Sequence, residues 1–313
     1  MPHRSRAVVA HAPGGPEVLR VVEVDVPDPG PDEVLVEVHA AGVGHGDLDA
    51  HRPGPGPGGT VRLGVEVAGV VRAVGSAVRW FSTGDEVVAW PVVGGCADLV
   101  VAPERVLVRR PPGLPAPAAA GLLAAGAAAL HAVDVTGVGA HDVVLVHGGS
   151  GGVGRMAVQL CALRGARVVT TVSPQHVTCL DRYGAVPIPS GPGLLDRVRA
   201  AAAPDDRVDV AIDTTGTVEA LDASVALVAD RTRVVTFPAS AGAAALGVRA
   251  LGPDAGRGAG LQEAARAHLS ALAADGALDV HVAATFPLAD VADAHRLLGT
   301  RRAGGKVVLL TGP

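Results

Sequence analysis

The sequence predicts an α/β protein in which a doubly wound parallel sheet is joined to a smaller, barrel-like β unit. Three observations carry this reading. About the first 110 residues hold short apolar or alternating segments punctuated by Gly and Pro. From residue 142 onward, strand-like and helix-like segments alternate, the pattern of a parallel sheet covered on both faces. Between the first of those strands and the first of those helices stands the glycine cluster "HGGSGGVG" (147–154).

Taken in order, residues 6–11 and 18–24 flank "APGGP", which reads as a hairpin. "EVLVEVHAAGV" (33–43) alternates with period two. "VEVAGVVRAVG" (65–75), "DEVVAW" (85–90), "ADLVVAP" (97–103) and "RVLVRRP" (105–111) complete the β set, and "RPGPGPGGT" (52–60) is a low-complexity loop. An Ala-rich stretch at 114–133 is predicted as one helix. Strands "DVVLVH", "ARVVTTV", "VDVAIDT" and "TRVVTF" then alternate with helices at 153–164, 175–183 and 217–229. The tail predicts helices near 261–275 and 290–299 and strands "VHVAATF" and "GKVVLL".

Composition narrows the function. With 313 residues, two domains are expected. The aromatic share is 2%, so the core must be Val, Leu and Ala. The net charge is −5 and no basic run is interleaved with aromatics, which argues against a nucleic-acid partner. Cys96, Cys161 and Cys179 form no C-x-x-C, and their odd number fits a reducing, cytoplasmic setting. No apolar leader opens the chain. The stretch 114–133 has the length of a membrane span, but its Ala, Gly and prolines 115 and 117 make it a buried helix, so no membrane partner is expected.

Gly149, Gly151 and Gly154 satisfy G-x-G-x-x-G after a strand and before a helix. On this reading Gly149 allows the tight turn, Gly151 lets backbone approach a pyrophosphate, and Gly154 lets helix and strand pack closely. Ser150, Gly152 and Val153 complete the loop, whose helix end offers N–H groups and a positive dipole to phosphates. An NAD site carries an acid at the end of the second strand for the ribose. Residues 172–177 contain none; Ser173, Gln175 and His176 stand there, with Arg182 beyond. NADPH is therefore expected over NADH. Thr214, Thr215 and Phe237 end later strands, where an open sheet carries its ligand.

With these motifs in order, the chain resembles the medium-chain dehydrogenase/reductase superfamily. It is most similar to the zinc-free quinone oxidoreductase (zeta-crystallin-like) and enoyl reductase branch. The resemblance rests on "APGGPEVLRVVEVDVPDPGPDEVLVEVHAAGV", "EVAGVVRAVGSAV", "GDEV", "DVVLVHGGSGGVGRMAVQLCALRGARVV", "VDVAIDTTG" and "FPLADVADAHRLLGTRRAGGKVVLL". It implies a GroES-like catalytic domain from 1–114 and 254–313 and a Rossmann cofactor domain at 115–253. It also implies a homodimer through the Rossmann sheet edges, with "LGVRAL" (246–251) as the pairing strand. Zinc-dependent relatives place ligands where Gly44, Val65 and Ala124 stand, so no zinc is expected, and three scattered cysteines cannot build a structural thiolate site.

Without a Lewis acid, hydride delivery to an activated quinone or α,β-unsaturated carbonyl is expected over alcohol oxidation. The alternatives are a tailoring reductase of secondary metabolism with a bulky substrate and a nucleotide-binding protein without turnover. Departures from the branch motivate these: Gly44 where Asn is frequent, Asp49 where Tyr is frequent, Val177 and Gly191 near the expected 2′-phosphate, and Ala128 in place of a Thr. Asp47, with His45 and His51, are the candidate catalytic residues, each also readable as a structural or solvating group; His45, Asp49 and His51 together read as a polar loop, and water is the alternative proton source. Tyr183 and Cys161 read as packing residues, His147 as a satisfied core histidine, and Cys96 as a candidate site-lining residue.

Overall fold

A computed structural model describes residues 3–54, 59–202, 207–237, 241–252 and 259–312, with only the backbone of 178, 179, 241 and 259. The interior of the loop 52–60, the side chain of Cys179 and the expected boundary at 253/254 lie outside these residues. By its contacts the chain divides into Met1–Ala124 with Glu263–Pro313, and Ala125–Gln262.

In the first unit, β1 (His3–Ala10) and β2 (Leu19–Val26) form the expected hairpin, paired antiparallel from His3↔Val26 to Ala10↔Leu19. Then follow β3 (Glu33–Val43), α1 (His45–His51), β4 (Val61–Arg62), β5 (Val67–Val74), β6 (Glu86–Ala89), β7 (Leu99–Pro103) and β8 (Leu107–Arg109). β4 joins the hairpin as β2-β1-β4. The helix α1 corrects the reading of His45, Asp49 and His51 as a loop: seven residues with one Gly and four polar positions show too little periodicity to announce a helix.

The Ala-rich stretch is two helices, not one: α2 (Ala116–Ala119) and α3 (Leu123–Val135). The break has a local cause. The N–H groups of Gly121 and Leu122 bond to Ala118 O and Ala119 O, closing α2 with tight turns, and the Leu123 N–H is taken by the Glu66 carboxylate.

The second unit holds β9 (Val143–His147), α4 (Gly152–Leu163), β10 (Arg167–Val172), β11 (Val186–Pro189), α5 (Leu194–Ala202), β12 (Val210–Asp213), α6 (Val218–Leu227), β13 (Val234–Thr236), α7 (Ala241–Ala245) and β14 (Arg249–Ala250). All pairings are parallel, in the order β11-β10-β9-β12-β13-β14. This is the Rossmann order. One strand beyond those expected, β11, extends it at one edge, and β14 at the other lies within the expected pairing strand 246–251. β11 carries two prolines, tolerated because it is an edge strand, and β14 spans two residues. The helix expected at 175–183 is instead two short 3-10 segments, Pro174–Cys179 and Asp181–Tyr183, ended by Gly184 at φ +69°.

The chain closes in the first unit with α8 (Ala259–Ala274, begun in the second unit), β15 (Val282–Pro287), α9 (Val291–Gly299) and β16 (Lys306–Leu310). β16 pairs with β3, completing a GroES-like sheet in the order β15-β16-β3-β5-β6-β8, with β7 on the other part of β3. Its core is aliphatic, including Val36, Val38, Val67, Val87 and Leu309. Among the described residues no helix is long and apolar enough to cross a membrane.

Candidate functional site

β9 delivers the chain into the glycine loop at the carboxyl end of the parallel sheet. The sequence reading gave the tight turn to Gly149; the structure gives it to Gly148, which has φ +77°. The N–H groups of Gly148 and Gly149 both donate to Thr171 O at 3.0 Å, pinning the turn to β10. Gly149 is a glycine for another reason: a Cβ there would stand 1.9 Å from Thr170 Oγ1. At Gly154 a Cβ would stand 2.1 Å from Gly148 O, so helix and turn require the bare backbone.

Gly151 differs. The nearest atom to a Cβ there is Gly148 O at 3.4 Å, with nothing else within 4 Å. Gly151 is the N-cap of α4 and has no capping side chain, and the first bond of the helix runs from Arg155 N–H to Gly151 O at 2.9 Å. The N–H groups of Gly152 and Val153 thus open the helix ahead of its first bond. Open space over Gly151, exposed donors and the positive end of a helix dipole fit a pyrophosphate.

The other predicted cofactor residues surround the same sheet end. Ser173 follows β10 and its carbonyl accepts the His176 N–H at 2.8 Å. The hydroxyl of Thr214 donates to His147 O at 2.7 Å, and that of Thr215 to Asp213 Oδ1 at 2.7 Å. The Phe237 N–H bonds Asp213 O at 2.7 Å. Asp213 is the organiser that sequence reasoning passed over. Fully buried, its carboxylate also accepts the N–H groups of Thr215 and Gly216 and the Thr236 hydroxyl. The available signal was the "DTTG" ending of a strand, where an Asp binds its own turn.

His147 is buried, but it is only half satisfied, a correction to the sequence reading. Its Nδ1 lies 3.3 Å from Thr171 Oγ1 and its Nε2 has no hydrogen-bond partner. Burial pushes its pKa down to about 4, against the opposing charge of Asp213. Tyr183 is partly exposed, and its hydroxyl accepts from Arg182 at 2.5 Å, so it is a surface partner more than a packing residue.

In the first unit, the three candidate catalytic residues share α1. Asp47 is 2% exposed, and its two oxygens accept the Gly44 and Gly64 N–H groups, each at 2.9 Å. Burial raises its pKa despite those bonds. His51 sits 2.9 Å from Gly14 O through Nδ1 and 3.2 Å from His295 Nδ1 through Nε2. His45 is exposed, and desolvation by the surrounding protein, then the Arg301 charge, lowers its pKa. Asp49 is on the surface, bonded to Arg52 at 2.9 Å. α1 thus brings the three together on one element, with Asp47 and His51 already bonded to scaffold.

Cys96 does not line a site. It is fully buried in the aliphatic core, and burial pushes its thiol well above the ordinary range. Cys161 is fully buried on α4, and its thiol is pushed up to about 12. Of the expected zinc-ligand positions, Gly44 caps α1, Val65 precedes β5 and Ala124 is in the first turn of α3. Among the described residues no group of three or more His, Cys, Asp or Glu could hold a metal ion. Two charged groups were missed: Glu66 and Lys306, buried to 1% and 8% exposure. Their burial is not legible from isolated charges in strand-like segments.

Two family models match the chain: the alcohol dehydrogenase GroES-like domain over residues 30–133 and the zinc-binding dehydrogenase over 194–309. A quinone oxidoreductase of Pseudomonas aeruginosa is 31% identical over 315 aligned residues, covering 95% of this chain and 97% of that protein. A chloroplastic quinone-oxidoreductase homolog of Spinacia oleracea is 37% identical over 191 residues, 55% of this chain. In that comparison the chain spans only 56% of the relative's length. A mycobacterial protein solved in complex with NADPH superposes with a TM-score of 0.85 at 31% identity, covering 98% of this chain and all of that one.

Proposed function

The chain belongs to the medium-chain dehydrogenase/reductase superfamily, in its zinc-free quinone oxidoreductase and enoyl reductase branch, and from that premise we propose that it is an NADPH-dependent reductase of quinones or α,β-unsaturated carbonyls. The observation that carries the reading is the open, donor-lined space over Gly151 at the end of the parallel sheet. The bound cofactor supplies a hydride. The chain's own residues bind and orient it. Gly149 to Gly154, with Ser150, Gly152 and Val153 between, hold the pyrophosphate. Thr214, Thr215 and Phe237 bound the sheet end beyond it.

The NADPH preference is supported by the strand end at Ser173, where no carboxylate at 172–177 would repel a 2′-phosphate, with His176 the nearest basic group. The mycobacterial relative that binds NADPH supports it independently. Metal-free chemistry suits an acceptor that spreads the incoming charge itself.

Fluorescence titration of purified protein with NADPH and NADH tests the cofactor, and a panel of simple quinones and enones then tests the acceptor. Tighter NADPH binding and NADPH oxidation by at least one panel member are expected. Tighter NADH binding overturns the cofactor assignment. Binding with no turnover across the panel overturns the acceptor class.

A further inference from the structure

The small sheet β2-β1-β4 of the first unit carries a shallow groove of about 390 Å³, within the size range of small-molecule sites. The pairing register puts its walls on one face. Val9 of β1 stands opposite Arg20 of β2 on one side and opposite Arg62 of β4 on the other. Directly opposed residues share a face, so the two arginines flank Val9, with their Cα atoms about 10 Å apart at the usual strand spacing. By the same alternation Val22 and Val24 continue that face along β2, while His11 and Thr60 line one end. The floor is therefore aliphatic, one row across it is cationic, and no carboxylate lines it.

These charges have no acidic counterpart. Arg62 is exposed, and among the described residues neither its guanidinium nor the His11 ring has a hydrogen-bond or ion-pair partner. Arg62 is placed all the same. A Cβ on Gly94, which has φ +75°, would stand 2.8 Å from Arg62 Nε and 3.1 Å from its Cζ, so the guanidinium lies along bare backbone. Arg20 donates through Nη1 to Glu17 O and Leu19 O, each at 2.7 Å, which fixes its guanidinium and leaves Nε and Nη2 unbonded. The neighbouring carboxylates turn elsewhere. Glu17 accepts the Gly15 N–H and answers to Arg296 and His51. Glu23 and Asp25 alternate to the other face of β2, where Arg4 pairs with them at 3.4 and 3.5 Å.

Two positioned, unpaired guanidiniums beside an aliphatic strip match an amphipathic anion. We propose that this groove binds a medium-length alkyl oxyanion, a carboxylate or a phosphate monoester, with its head group at the Arg20–Val9–Arg62 row and its tail along Val22 and Val24. A guanidinium presents parallel N–H donors that fit two oxygens of either head group. From Arg20 to Val24 the strand runs about 13 Å at ~3.3 Å per residue, which accommodates an extended octyl chain. A neutral tail would leave the guanidiniums without an anion, and a bare head group would leave the valines in water, so the site needs both halves of its ligand. No residue of α1 or of the glycine loop lines the groove, and the site does not rest on the reductase reading.

Calorimetric titration of the full chain with octanoate and with octyl phosphate, both below micelle formation, tests the site. The half-ligands 1-octanol, acetate and inorganic phosphate serve as controls. At least one amphiphile should bind, and no half-ligand should. Arg20→Gln and Arg62→Gln should each weaken binding about tenfold. Val22→Glu should abolish it by setting a like charge in the strip. Arg4→Gln, the same charge change on the other face, should leave it unchanged, and thermal melts check that each variant is folded. Saturating NADPH should not alter the binding. Failure of both amphiphiles to bind, octanol binding as tightly as octanoate, equal losses in Arg4→Gln and Arg62→Gln, or displacement by NADPH overturns the proposal. Binding to phosphatidylglycerol vesicles alone also overturns it and assigns the face to a membrane surface. A protein that binds octanoate as expected and reduces no quinone or enone overturns the reductase reading and leaves this site standing.

Discussion

Gly151 and Gly154 lie three residues apart and answer to different demands. At Gly154 a methyl group would meet the backbone oxygen of Gly148 at 2.1 Å, and backbone in a pinned turn cannot step aside. Gly154→Ala should therefore cost about 2 kcal/mol of stability, in the range of overpacked interiors. At Gly151 the same methyl would make an ordinary contact at 3.4 Å with an otherwise open space. Gly151→Ala should leave the melting temperature unchanged and weaken NADPH binding about tenfold, or about 1.4 kcal/mol. Thermal melts and fluorescence titrations on the two variants separate the effects. A Gly151→Ala protein that binds NADPH as wild type would mean that the pyrophosphate does not lie over Gly151. Gly149, read at first as the turn residue, belongs with Gly154, since its hydrogen stands where Thr170 leaves no room.

At the scale of elements, α1 shows how a short helix is held by bonds that its own sequence does not display. Asp47 ties it to Gly44 and Gly64, and His51 ties it to the turn at Gly14 and to His295 on α9. The His51 Nδ1–H donates to Gly14 O, one N–H is shared between His51 Nε2 and His295 Nδ1, and the buried His295 Nε2 has no hydrogen-bond partner. Burial, then the proximity of His51, pushes the His295 pKa down to about 4. The sign follows from linkage: a histidine depressed in the folded state stabilises the fold fully above its unfolded pKa of about 6.5 and loses that contribution as pH falls toward 4. Urea unfolding should show up to about 3 kcal/mol lost across that window, with a shallower slope in His295→Gln. Equal slopes would show that His295 is not the group responsible. Such a pair is invisible in sequence because its members stand 244 residues apart.

For the whole molecule, legibility followed the length of each signal. The aliphatic strands β9, β10, β12 and β13 and the glycine loop were readable because each is a continuous local pattern. The edges β11 and β14 were not fully readable, one interrupted by prolines and the other two residues long. Asp213 and Glu66 escaped for a different reason: their roles come from burial and from partners supplied by other elements. β14 nevertheless lies within "LGVRAL", and among the described residues it pairs only with β13. An unpaired edge of this kind invites an isologous partner, so a homodimer with the two edges antiparallel is the expected assembly. The geometry offers a specific disruption. The Leu251 N–H donates inward to Thr236 O at 2.9 Å, so by strand alternation the Ala250 N–H points to the open edge. Ala250→Pro removes that outward donor and leaves the bond to β13 in place. Sedimentation equilibrium should find wild type at twice the chain mass and Ala250→Pro at the chain mass, with NADPH binding retained. A wild-type monomer, or a variant that still dimerises, would show that this edge is not the interface.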